Sequence, residues 1–421
     1  MSVSTPESAA HERRALGVVL SALLIDTMGF GIIMPVMPDL IVRLTGQPLA
    51  MAARYSGWLM GVFAAMQFLF GPVMGGLGDR FGRRPVILFS MLAFGLDYLV
   101  MGFAPTFWWL FVSRAVAGVA GAIYVPATAY IADITPPERR AQNFGLIGAA
   151  FGLGFVIGPA LGGLLVSIGP RAPFIAAALL ALLNAGVGAS SLPESLPPDR
   201  RRAFTLRRAN PFGTFASIFR HRGALALFAA WFLWMLSHQV YPATWPFFAK
   251  LKFGWSDGAI GFSLAYVGLI MALAQVLVVR RLIPLIGERK ATLSGLMAGL
   301  VGFAGNALVP LGWMVYPVMT VAAFQGLVFP SLNAVLSKAV AANEQGELQG
   351  GVSSLQSVAS IVSPPLMSNT LSWFTREGAP LRFPGAAFVL AALLTSASML
   401  ILVTLAGAAF AQPARPATPV D

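Results

Sequence analysis

Apolar residues run along this chain in stretches of about twenty, interrupted at short intervals by glycine, proline and arginine. About 20 consecutive apolar residues is the length an α-helix needs to cross the hydrocarbon core of a bilayer. The pattern predicts twelve such helices, at about 15–38, 54–77, 86–103, 107–131, 142–168, 173–192, 223–249, 258–281, 289–310, 314–338, 347–374 and 385–408. One hydrophilic stretch, 193–222, contains Pro193, Pro197, Pro198 and a dense run of arginine. It lacks apolar periodicity and reads as a linker between six spans and six. The expected organisation is therefore an all-α membrane protein with an N-terminal six-helix bundle (1–192), a cytoplasmic linker (193–222), a C-terminal six-helix bundle (223–408) and a short tail (409–421).

Composition agrees with a bilayer setting. The chain of 421 residues is 57% hydrophobic and 10% charged, where soluble proteins carry about 25% charged residues. The net charge of +12 raises the question of nucleic acid, and its distribution answers against it. Of 28 Lys and Arg, 20 fall in the N-terminal segment, every second connection after it and the C-terminal tail, 7 in the other connections, and one, Arg114, deep inside a span. This asymmetry places both termini in the cytoplasm and implies an even number of spans in a cytoplasmic membrane. The polar residues 1–13 are followed by an apolar run too long for a signal-peptide core, so the first span is expected to be retained. There is no cysteine, and the three histidines (His11, His221, His238) lack ligand-like spacing, so no metal is expected. No nucleophile–base constellation is visible, so neither catalytic residues nor a cofactor are expected.

Ionisable groups inside a membrane are costly and mark function by default. Three charged residues lie well inside predicted spans, away from their ends: Asp26, Asp97 and Arg114. His238, near the middle of the seventh span, is a fourth titratable group and a further candidate for proton coupling, with a histidine simply hydrogen-bonded in place as the plainer alternative. Asp97 and Arg114 together make a structural ion pair one reading; the other has a carboxylate, Asp26 or Asp97, binding and releasing protons during transport. The first span carries Asp26-x-x-Gly29-x-Gly31-x-x-x-Pro35-x-x-Pro38, where glycines permit close helix approach and prolines weaken the outer end. In the fifth span Gly154, Gly158 and Gly162 recur every four residues around Pro159, a groove for a tightly packed helix. Polar and aromatic residues that suit a pocket for drug-like ligands are Gln67, Trp231, Trp234, Gln239, Tyr241, Trp245, Gln275, Gln325, Asn333 and Gln356. For each, a belt tryptophan or an interhelical hydrogen bond is the plainer alternative, with Tyr241 and Trp245 as candidate interfacial anchors.

Between the second and third spans the chain reads Gly75-Gly-Leu-Gly-Asp79-Arg80-Phe-Gly82-Arg83-Arg84-Pro, which predicts a tight, strongly basic turn. This string resembles the signature of the major facilitator superfamily. Arg280-Arg281…Gly287-Glu288-Arg289-Lys290 lies where a degraded second copy is expected. Arg114-x-x-x-Gly118 and the Gly154–Gly163 pattern resemble motifs of its drug/proton antiporters. Asp26-Thr-Met-Gly29, Gly95-Leu-Asp97-Tyr98, Ala129-Tyr-Ile-Ala-Asp133-Ile-Thr135, Leu192-Pro-Glu194-Ser195 and Gly346-Glu-Leu-Gln-Gly350 are similar to the tetracycline/proton antiporter family, from about residue 15 to 408. The resemblance implies proton-driven efflux of a small molecule by a monomer in contact with lipid. Asp26, Asp97 and Arg114 would serve coupling; Gly75, Asp79, Arg80, Gly82, Arg83, Arg84, Gly154, Gly158, Pro159 and Gly162 would serve the gate. Two departures argue against tetracycline itself. Where the family has an acid in the ninth span this chain has Gly299, and a family histidine of the eighth falls on Leu269-Ile-Met271. Two rivals stand beside this reading: a carrier of organic anions or metabolites, not necessarily proton-coupled, and a receptor or scaffold that kept the fold and lost transport.

Overall fold

A computed structural model describes residues 6–205, 210, 211, 213, 218, 224–341 and 344–405. Arg207, Arg208, Arg220, His221, Arg222, Arg415 and the 409–421 tail lie outside the described residues. Contacts divide the chain into two compact units. Unit 1 comprises Met1–Thr45, Val62–Pro211 and Ser256–Ala265; unit 2 comprises Gly46–Gly61, Phe212–Trp255 and Tyr266–Asp421.

The regular elements among the described residues are helices. The first half runs α1 (Pro6–Ile33), α2 (Met37–Thr45), α3 (Leu49–Phe81), α4 (Arg83–Phe103), α5 (Phe107–Ala120), α6 (Tyr124–Ile134), α7 (Arg140–Leu165) and α8 (Ala172–Ser191). The second half runs α9 (Leu225–His238), α10 (Val240–Phe253), α11 (Asp257–Leu273), α12 (Arg280–Leu308), α13 (Val315–Ala322), α14 (Val328–Lys338), α15 (Gln345–Thr375) and α16 (Ala386–Thr404). Nine stretches among the described residues are long and apolar enough to span a membrane. One of them, Asp257–Leu308, is two spans joined at Gly287, whose φ of 78° and ψ of 161° are not helical. The pair α9–α10, each of 14 residues, and the serine-rich α15 supply the other two of twelve.

Irregular backbone recurs in every third span. A 3₁₀ turn at Met34–Val36 separates α1 from α2, and Pro35 sits in its first turn. Another at Gly121–Ile123 separates α5 from α6. Gln239 interrupts the seventh span, expected to be continuous over 223–249, and a 3₁₀ segment at Ala323–Leu327 interrupts the tenth. Discontinuous helices are tolerated in membranes where protein or a cavity takes up the freed backbone groups.

The expected tight turn at 75–85 is corrected. Helix α3 continues through Gly75, Gly78, Asp79 and Arg80 to Phe81, and a single residue, Gly82, separates it from α4. Its φ of 106° and ψ of 157° lie where a side chain is strained, so one glycine does the work expected of several. The others make room. A Cβ on Gly76 would come within 2.8 Å of the Phe204 ring, and one on Gly75 within 3.1 Å of Val125. Beside Phe204, the Arg202 N–H donates to the Asp79 carbonyl at 3.0 Å. The start of the linker is thus seated on the end of α3.

The glycine stripe of α7 packs directly on α1. A Cβ on Gly154 would meet the Leu24 carbonyl at 2.8 Å, one on Gly158 the Met28 carbonyl at 2.5 Å, and one on Gly162 would collide with the Ile32 carbonyl. The three carbonyls are themselves spaced by four, so two helical ridges mesh without side chains between them. Gly31 reciprocates against Pro159.

Candidate functional site

Helix α4 presents Asp97 and the neighbouring α5 presents Ser113 and Arg114. Asp97 is 5% exposed. The Ser113 hydroxyl donates to its Oδ1 and the Arg114 guanidinium pairs with its Oδ2. The guanidinium also lies over the Phe63 ring, 5.5 Å from its centre. Gly118, one turn further, lets α5 approach the Phe63 backbone where a Cβ would collide. A buried ion pair is tolerable only when its remaining polar atoms are also served, and breaking it strands a charge. Asp26 differs. It is half-buried, and its carboxylate makes no hydrogen bond or ion pair among the described residues. Its backbone carbonyl accepts from the Tyr98 hydroxyl at 3.4 Å, over Gly29, which leaves space for that ring. Asp97 is engaged through both oxygens, whereas Asp26 has no direct hydrogen bond or ion pair among the described residues and interacts with Arg114 only through the longer-range attraction of opposite charges.

The α3–α4 turn gathers a second charged cluster. Asp79 pairs with Arg83 at 2.6 Å, one helical turn on, and Arg83 Nε reaches Asp133 Oδ2 at 3.5 Å. Ser195 Oγ donates to the same Asp133 oxygen at 3.1 Å. Glu194 Oε1 accepts from the Arg83 backbone N–H at 2.8 Å and the Leu196 N–H at 3.1 Å, serving an otherwise orphaned donor at the start of α4. Arg84 donates to the Ala189 carbonyl at 2.5 Å, and Arg80 lies over the Phe81 ring. Asp133 and Glu194 had no role assigned from sequence. Each is remote from the turn along the chain, and the strings containing them were the available signal.

Unit 2 holds the remaining candidates in separate groups. His238 Nδ1 lies 3.2 Å from Gln325 Oε1, and the His238 ring stacks on Trp234 with centres 5.8 Å apart. Gln239 donates to Ser360 Oγ at 2.9 Å. The Tyr241 hydroxyl accepts from Asn306 at 3.1 Å. Asn333 accepts from Gln349 at 3.0 Å. Trp231 is wholly buried and packs on Trp234 and Phe329. Trp245, offered as an interfacial anchor, is instead fully enclosed among Tyr241, Phe248, Trp255 and Phe388. Gln275 lines a cavity of about 460 Å³ with Val276, Val279, Arg280, Ile283, Pro284 and Pro330, while Gln356 is exposed. In unit 1, Gln67 donates to the Gly121 carbonyl at 2.8 Å. Gly299 sits beside Gln325: a Cβ there would meet its Oε1 at 3.6 Å.

Residues 19–364 match the family model of the Major Facilitator Superfamily. The chain belongs to that superfamily. Within it, the chain is 41% identical to the class C tetracycline resistance protein of Escherichia coli, over 84% of this chain and 89% of that protein. It is 30% identical to multidrug resistance protein 2 of Bacillus subtilis (strain 168), over 83% of this chain and 86% of that one. The solved structure of the human organic anion transporter MFSD10 has the same fold, with a TM-score of 0.66 over 93% of this chain and 99% of that chain at 24% identity. This facilitator-superfamily chain is thus an integral membrane transporter homologous to efflux proteins of tetracycline and multidrug resistance.

Proposed function

We propose that this transporter exports small amphipathic, drug-like molecules across the cytoplasmic membrane in exchange for protons. Both termini lie in the cytoplasm, and the bundles 1–192 and 223–408 are the halves that alternate. The observation that carries the reading is the contrast in unit 1 between the engaged Asp97–Arg114 pair and the uncommitted Asp26. A proton-coupled carrier needs an intramembrane group whose charge changes within the cycle, and Asp26 is free to serve. The names of the two relatives, tetracycline resistance and multidrug resistance, support a drug-like substrate. The organic-anion alternative draws on the basic Arg114 and on a second half without an intramembrane carboxylate, and Arg114 is already paired with Asp97.

The test is transport by the purified chain in proteoliposomes under an imposed pH gradient, across a panel of amphipathic compounds that includes tetracycline. Gradient-driven movement of at least one aromatic amphiphile is the expected result, with tetracycline moved weakly because Gly299 leaves the ninth span without an acid. Transport indifferent to the pH gradient would overturn the coupling, and strong tetracycline transport would show Gly299 to be irrelevant.

A further inference from the structure

The eighth span does not finish as a regular helix. Ala274–Val279 form a π-helical segment between α11 and α12, a wide turn that is rare and gathers at functional sites. The cavity of about 460 Å³ in unit 2 lies along it. Its lining recurs every four residues, Gln275, Val279 and Ile283 in one row and Val276, Arg280 and Pro284 in the next, so one face of the chain forms it. Pro330 of α14 completes it. The row through Val276 and Arg280 continues back into the span as Leu273 and Leu269, at helical spacing, and Leu269, Leu273 and Val276 are all exposed.

Gln275 and Arg280 are the polar members of this otherwise apolar hollow. Neither makes a hydrogen bond or ion pair among the described residues. They stand at different depths. Arg280 lies at the end of the span predicted over 258–281, and Gln275 is five residues further in, roughly 7 Å along the axis. A guanidinium near the membrane edge is a fork that fits a phosphate. A carboxamide N–H set deeper donates to a carbonyl oxygen. The exposed row beyond offers apolar contact alone. Phosphate outermost, ester carbonyl beneath it and hydrocarbon beyond is the order of groups in a phospholipid. A free phosphate would use Arg280 only, and a bare hydrocarbon would leave both polar groups unserved. Arg281, Arg289 and Lys290 add positive charge on the same side, which draws anionic headgroups.

We propose that this hollow binds an anionic phospholipid, with the phosphodiester on Arg280, an ester carbonyl on the Gln275 amide and an acyl chain along Leu269, Leu273 and Val276. Gln275 then serves lipid rather than substrate. The site does not depend on what the chain exports.

The experiment is native mass spectrometry of the delipidated full chain in detergent, titrated with dioleoylphosphatidylglycerol, with dioleoylglycerol, which lacks the phosphate, and with inorganic phosphate, which lacks the chains. The first phosphatidylglycerol is expected to bind about tenfold more tightly than either fragment, because a charge-assisted contact separates it from the one and the apolar row from the other. Arg280→Gln should remove that preference over dioleoylglycerol. Arg281→Gln removes the same charge from outside the lining and should leave the preference intact. Gln275→Leu should weaken phosphatidylglycerol and dioleoylglycerol alike, since both carry the ester carbonyl. Equal losses in Arg280→Gln and Arg281→Gln would mean diffuse attraction to a basic surface and would overturn the proposal. So would inorganic phosphate binding as tightly as the lipid, or displacement of the bound lipid by a compound that the chain transports, which would make the hollow a substrate pocket. If Arg280→Gln does not fold, Val276→Trp decides: it fills the hollow from an exposed position and keeps both arginines, and undiminished lipid binding there would overturn the site.

Discussion

The third span of each half opens on a glycine in nearly the same backbone conformation, Gly82 at φ 106°, ψ 157° and Gly287 at φ 78°, ψ 161°. Each glycine is followed by a charge that reaches the end of the next span, on α6 in the first half and α14 in the second. In unit 1 the charge is Arg83 and its partner Asp133, at 3.5 Å. In unit 2 it is Glu288 and its partner Lys338, whose Nζ donates to both carboxylate oxygens at 2.7 Å. The signs are reversed while the backbone is kept. Attraction needs only opposite charges, so either order holds the same two helix ends together. The glycine is less replaceable, because its φ excludes side chains. Unit 1 adds Asp79, Glu194 and Ser195 around its pair, whereas in unit 2 Glu288 meets Lys338. The intramembrane groups divide in a parallel way. Unit 1 carries the acidic and basic groups Asp26, Asp97 and Arg114, and unit 2 carries the hydrogen-bonded pairs His238–Gln325 and Asn306–Tyr241.

That division breaks most sharply at Asp26. Asp26→Asn is expected to abolish substrate uptake driven by a pH gradient in inverted vesicles while leaving downhill exchange intact, because an amide mimics the protonated acid. Proton release on substrate addition that survives in this variant but vanishes in Asp97→Asn would reverse the two assignments. Next in size is Asp97→Asn itself. It strands the Arg114 guanidinium in the helix interior, at a cost of about 3–5 kcal/mol, read as a lowered thermal transition in detergent. The double change Asp97→Asn with Arg114→Gln should recover much of that loss; an unshifted transition in the single variant would show that the pair does not hold α4 to α5.

The charge reversal in unit 2 has a smaller effect. Lys338 and Glu288 are partly exposed, and such pairs contribute about 0.2–1 kcal/mol. Lys338→Glu should slow transport, and Glu288→Lys combined with Lys338→Glu should restore it; a double variant as slow as the single one would mean that the bridge is incidental. Asp79→Asn is the mildest. Arg83 keeps Asp133 when Asp79 is neutralised, so turnover should fall modestly with substrate affinity unchanged. A parallel loss of affinity would place Asp79 in binding rather than in gating.

Apolar run length made the twelve spans legible in sequence, because hydrocarbon thickness fixes that length whatever the residues are. The glycine stripe of α7 was legible for a related reason: only small residues spaced by four let two backbones touch. What stayed hidden depends on contacts between distant residues. Gln325 lies 87 residues from His238, and nothing in either neighbourhood names the other. Glu194 reaches the start of α4 across 111 residues. The turn was misplaced because glycine tolerates helix and left-handed backbone alike, so a string of four does not reveal which one bends.

The seat of Phe204 on Gly76 changes where the join between the halves begins. The covalent connection leaves the first half at Phe204 rather than at the end of α8, since Arg202 is hydrogen-bonded to Asp79 and Phe204 fills the space over Gly76. A gene divided into two cistrons downstream of Phe204 would leave the first product with its own clasp on the signature helix. The same division made just after Ser191 would deprive that product of the clasp and of Glu194 together, so co-expressed halves should complement only from the later cut.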